Sequence, residues 1–162
     1  MARESHEALA QVLDEQIAAA TRLAEGLRVE RAALSGRTIE ALHTATRDKE
    51  QLFARFEELE QERRMLCATL GAGTERSSME AVLRAQPRVA REGLQARWQR
   101  LMELAARCRD ANETNGMIAQ NRQRQLLQLL GLMRSAAHGG ATYGRTGVAA
   151  IAGDSSRAIA TA

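Results

Sequence analysis

At 162 residues with a formal net charge of +3, the chain is long enough for one domain and short for two. Aromatic residues make up 2% of it and Pro87 is the single proline, while Ala, Leu, Arg, Glu and Gln dominate, which is the composition of long helices and coiled coils. A β-sandwich or α/β enzyme of this size needs more β-branched and aromatic residues and regular Gly/Pro turns, so the expected fold is all-α: an antiparallel long-helix bundle or coiled coil of three main helices with a flexible C-terminal tail.

The N-terminus "MARESHEALAQVLDEQ" carries charge through its first turns and lacks the apolar core of a signal peptide. No apolar run approaches the roughly 20 residues that span a bilayer, so a cytoplasmic protein without stable membrane insertion is expected. In the first helix, about residues 5–34, Leu9, Val12, Leu13, Ile17, Ala20, Leu23, Ala24, Leu27 and Leu34 recur at three- and four-residue steps and share a face. At "LSGRT" Ser35 is placed to cap a new helix and Gly36 to relax the backbone, which predicts a tight reversal. A continuous helix through Gly36 stays open, since one glycine costs only about 1 kcal/mol in a helix.

The second helix, about residues 37–70, repeats the pattern with Ile39, Leu42, Leu52, Phe53, Phe56, Leu59, Leu66, Cys67 and Leu70. A loop with a short helix follows over residues 71–87, where Ser77 and Glu80 have capping-box spacing. Pro87 suits the first turn of the third helix, about residues 88–134, because its missing N–H has no partner there in any case. That helix carries Leu94, Trp98, Leu101, Ala105 and Cys108 on one face, then Asn112, Asn115, Ala119 and Arg122, then Leu126, Leu129 and Met133. Residues 1–135 form the expected helical domain; residues 136–162, rich in Gly, Ala and Ser, lose periodicity and read as a mobile tail.

Charge is unevenly spread. Residues 1–70 hold 10 Lys and Arg against 13 Asp and Glu, a net of −3; residues 71–162 hold 13 against 7, a net of +6, with no acidic residue from Thr114 to Gly153. A basic half of this kind suits nucleic acid, anionic lipid or an acidic protein. The arginines have no interleaved aromatics for base stacking, which favours charge complementation within the chain over a nucleic-acid role. Cys67 and Cys108 lack zinc-site or disulfide-framework spacing and read as buried, reduced and roughly 25 Å apart along the helices. His6, His43 and His138 form no catalytic constellation, and no Gly-rich phosphate loop occurs; neither enzyme activity, a metal nor a cofactor is indicated.

Polar residues on the apolar seam call for partners. Lys49, the only lysine, and Arg63 fall where the second stripe predicts apolar side chains, as Asn112 and Asn115 do on the third. Antiparallel packing across the loop sets Leu70 opposite about Arg88 and Lys49 near Arg109 to Asn112, so Lys49 is expected to bond Asp110 or Asn112 and hold the register. On that reading Asn112→Leu and Asn115→Leu keep or raise stability while register is loosened, and Gly116 either permits close helix approach or marks a bend. The third helix outlasts the second near Arg122, leaving an overhang of roughly 20 Å rich in leucine. Such a surface folds back on the first helix, pairs with a second copy or docks another protein.

The run "WQRLMELAARCRDANETNGMIAQNRQRQLLQLLGLM", followed by "YGRTG", resembles the FlgN family of flagellar type III export chaperones, with its Asn-x-x-Asn-Gly signature, leucine-rich helix and Tyr-Gly-x-x-Gly element. Glu30, Leu34, Leu42, Lys49, Leu52 and Arg63 resemble the family's middle segment, and the likeness covers about residues 5–147. It implies a cytosolic chaperone that binds the hook–filament junction proteins, hook-associated proteins 1 and 3, prevents their premature assembly and delivers them to the export gate. The docking residues would be Ile118, Leu126, Leu127, Leu129, Leu130, Leu132 and Met133, loosely held until a partner orders them; Lys49, Asn112, Asn115, Gly116, Tyr143 and Gly144 would be motif residues. The alternatives are a homodimeric structural coiled coil and a basic helical nucleic-acid adaptor using Arg122, Arg124 and Arg134.

Overall fold

The computed structural model describes residues 2–36, 38–72 and 78–139. Among them there is no strand, and four helices account for nearly all of the backbone: α1 (Ala2–Ser35), α2 (Ile39–Thr69), α3 (Ser78–Ala85) and α4 (Arg88–Gly139). The count corrects the expected three main helices. The short element after α2 is a helix in its own right and supplies core, with Ser78, Met79 and Val82 buried. The helical backbone also runs on to Gly139, into the stretch expected to be tail; leaving apolar periodicity does not stop a helix when Ala and Ser keep adequate propensity. Residues 140–162 lie outside the described residues, as do Ser77 of the expected capping box and both Tyr143 and Gly144.

The chain forms two units, residues 1–121 and 122–162. In the first, α1 and α2 are antiparallel: Gln16 bonds Glu60 near one end of the pair and Glu30 bonds Lys49 near the other. α4 instead runs parallel to α1, with Arg97 on Asp14, the Cys108 thiol on the Ala20 carbonyl and Asn115 on the Leu27 carbonyl. Leu9, Leu13, Ala20, Cys67, Met79, Val82, Leu94, Leu101 and Leu104 make one apolar cluster, and Leu23, Leu27 and Cys108 a second. Both cysteines are buried and free, and they belong to different clusters. Burial pushes the Cys108 thiol pKa up, against a smaller downward pull from Arg107.

Helix ends account for two further differences. Ser35 closes α1 instead of capping α2: its hydroxyl donates to the Arg31 carbonyl at 3.1 Å. Thr38 holds the N-cap position of α2 without a side-chain cap bond, and Ile39, expected on the buried stripe, is 74% exposed. At the far end Gly71 takes φ 78°, and the N–H groups of Gly71 and Ala72 donate to the Ala68 and Cys67 carbonyls. That is a Schellman closure, which needs a residue able to enter the left-handed region. Pro87 stands just before α4, its carbonyl accepting the Arg91 N–H at 3.0 Å.

Candidate functional site

Two features of the seam stand out in residues 1–121. The first is a polar cluster built on Glu30, which is 5% exposed on the α1 stripe between Leu27 and Leu34. Lys49 Nζ of α2 donates to its Oε1 at 2.7 Å, and Asn115 Nδ2 of α4 donates to its Oε2 at 2.8 Å. Asn115 Nδ2 also reaches the Leu27 carbonyl at 2.8 Å, and its Oδ1 accepts from Arg31 Nε at 3.0 Å. Three helices thus meet on one carboxylate whose charge is balanced and whose oxygens are bonded, the condition under which a buried ion is tolerated. Lys49 therefore pairs with Glu30, not with the expected Asp110 or Asn112, because the α1 carboxylate is the acid that lies beside it. Spacing had marked Lys49 and Asn115 as seam residues but passed over Glu30, which carried the same signal: a polar residue three after Leu27 and four before Leu34.

Asn112 goes elsewhere. It is exposed and lines an apolar groove with Leu23, Phe53, Phe56 and Cys108. Gly116 is exposed too, and a Cβ built on it meets nothing within 4 Å, so close helix approach is not its role.

The second feature is a charged pair on the seam of α2. Arg63 is 1% exposed; it grips Glu60 with two bonds, Nε to Oε2 at 2.9 Å and Nη2 to Oε1 at 2.7 Å, and its guanidinium lies 5.0 Å from the Trp98 ring centroid. Gln16 and Arg64 also donate to Glu60. Burial works to raise the Glu60 pKa, but the bonds and charge of Arg63, with Gln16 and Arg64, outweigh it and hold the carboxyl at about 2. In both features the charged groups are bonded to one another or to neighbouring polar side chains.

The second unit, by itself, is a different kind of surface. Leu126, Leu127, Leu129, Leu130, Leu132 and Met133 are 48–69% exposed, and every described side chain from Arg122 to Ala136 is exposed. Six large apolar side chains within eight residues form a patch of the kind that marks a protein contact. Ile118, grouped with them on sequence grounds, belongs to the first unit and is half-buried. Among the described residues no helix is long and apolar enough to cross a membrane.

Comparison with known proteins is informative at the family level. The family model described as FlgN protein matches residues 1–150. Neither a curated protein nor a solved structure matches the chain. With all four described helices inside the match, the chain belongs to the FlgN family of flagellar export chaperones.

Proposed function

We propose that this chain is the cytoplasmic export chaperone of the hook–filament junction proteins, hook-associated proteins 1 and 3. It holds them unassembled and delivers them to the flagellar type III export gate. The observation that carries the reading is the exposed leucine face of residues 126–133, in a chain whose family is one of export chaperones. An amphipathic segment of a junction protein laid on that face buries apolar surface on both sides and masks the segment from premature assembly. The work is binding and release; it requires no catalytic group, metal or cofactor, and neither nucleic acid nor lipid is a partner in it. Lys49, Asn115 and Glu30 act as scaffold.

Replacing Leu126, Leu129, Leu130 and Met133 together with polar residues tests it. Each buried side chain of this size contributes about 1.5 to 3 kcal/mol, so losing four erases a micromolar complex of about 8 kcal/mol. Co-purification of the junction proteins with the chain is expected to disappear while the thermal unfolding of residues 1–115 stays unchanged. A collapse of the whole fold would show the cluster to be core, and undiminished binding would place the docking surface elsewhere.

A further inference from the structure

Short side chains open a groove in the seam of residues 1–121. Ala20 on α1 and Ala105 and Cys108 on α4 line it, whereas leucines such as Leu13, Leu27 and Leu101 fill the seam on either side along the helices. Phe53 and Phe56, the only phenylalanines of the chain, stand half-buried along its α2 side. The floor is apolar, because the Cys108 thiol is bonded to the Ala20 carbonyl. The rim is not: Arg109 and Asn112 of α4 are exposed there, and neither holds a hydrogen bond or ion pair among the described residues. Among the described residues Arg109 is also the only charged one in the lining.

We propose that this groove takes one large apolar side chain from a helical segment of the exported partner, with an acidic residue three or four positions away that meets Arg109 and Asn112. The proposal rests on the chaperone reading and adds a second contact, with its chemistry, on the first unit. Size decides against a small molecule: the volume is about 240 Å³, below the roughly 300–1,000 Å³ of ligand pockets and suited to a single anchoring side chain. Shape decides against a second copy, since a symmetric dimer through this face sets hollow against hollow and leaves both unfilled. Charge decides the flank. A guanidinium and a carboxamide that both donate, beside an apolar floor, complement a carboxylate, and residues three or four apart on a helix share a face.

Filling the groove of the full chain without breaking the fold tests this. Ala105→Leu places a larger apolar side chain in the hollow, where added packing is expected to hold or raise the melting temperature. Arg109→Glu reverses the rim charge at an exposed position, and it carries the test if Ala105→Leu melts lower than the parent. Titrated against purified hook-associated protein 1, each variant is expected to weaken binding by about tenfold or more. Ala106→Leu, one residue along on the exposed side of α4, is expected to leave binding unchanged, and added salt to weaken the parent more than Arg109→Glu. A photo-crosslinker at position 112 is expected to trap a partner segment in which an acidic residue follows or precedes an apolar one by three or four positions. Undiminished binding by a folded Ala105→Leu chain, or by Arg109→Glu, overturns the proposal and leaves standing the chaperone reading, which the leucine face carries. A parent chain that binds neither junction protein brings down both. Light scattering that shows a dimer lost in Ala105→Leu, or a crosslink within one chain, gives the groove another occupant and overturns the proposal.

Discussion

Asn115 and Asn112 are three residues apart and chemically identical, yet their environments oppose each other. Asn115 is 2% exposed and ties the Leu27 carbonyl, Glu30 and Arg31 together; Asn112 is exposed at the edge of a groove. Asn115→Leu removes one of the two bonds that hold the buried Glu30 carboxylate, leaving that from Lys49, so a loss of about 1–3 kcal/mol is expected. This revises the expectation of neutrality. Asn112→Leu is expected within about 0.5 kcal/mol of the parent or above it. Denaturant melts of the two variants check the contrast, and equal stabilities would mean that the Asn115 bonds contribute nothing net. Glu60 makes a second prediction at this scale. Its folded pKa, about 2, lies below the ordinary carboxylate value of 4.5, so its contribution is present above the ordinary value and is lost as pH falls toward the folded one. The loss is expected to be about 1–3 kcal/mol, and Glu60→Gln is expected to flatten stability against pH across that window.

Glycines separate the constraints on the helices as elements. Gly71 closes α2 at φ 78°, where an L side chain is strained, so Gly71→Ala is expected to cost about 1 kcal/mol. Gly116 lies inside α4 with open space where a Cβ would go. Gly116→Ala is therefore expected to stabilise by about 0.5–1 kcal/mol, through helix propensity and a less flexible unfolded chain. Calorimetric melting temperatures that move in opposite directions for the two variants confirm the assignment; a destabilised Gly116→Ala would show that this glycine serves a bend. Gly26 lies between these extremes: an added Cβ would come within 2.9 Å of Leu52 Cδ1, where the end of a flexible side chain has to shift.

At the scale of the whole molecule, stability is concentrated in residues 1–121. The apolar clusters and the buried polar groups all fall there, while the described part of residues 122–162 contributes exposed side chains. Backbone amides of residues 122–136 are expected to exchange fast in the free chain, and those around Leu13, Leu27, Leu59 and Leu101 slowly, since local opening costs little where few apolar contacts are broken. Binding of a junction protein is expected to slow exchange in residues 122–136. Hydrogen exchange followed by mass spectrometry checks this, and uniform protection along α4 in the free chain would contradict it.

Composition and period by themselves determined that the chain is helical, where its long helices lie, and that residues 126–133 carry more leucine than one seam uses. These are local properties, set by the 3.6-residue repeat and by side-chain propensity. The repeat also marked Lys49, Arg63 and Asn115 as polar residues on apolar stripes, and all three lie on the seam. It could not say what they meet. Which neighbour a stripe faces depends on the rotation and shift of one helix against the others, and every contact in the bundle decides these together. The parallel course of α4 beside α1 brings Leu27, Glu30 and Arg31 to Asn115, and the antiparallel pairing of α1 with α2 gives Lys49 a carboxylate on α1. The same arrangement leaves Asn112 at the groove edge. Ser35 ends one helix and does not begin the next, because its hydroxyl bonds back to the Arg31 carbonyl four residues earlier in α1, a choice that spacing alone left open.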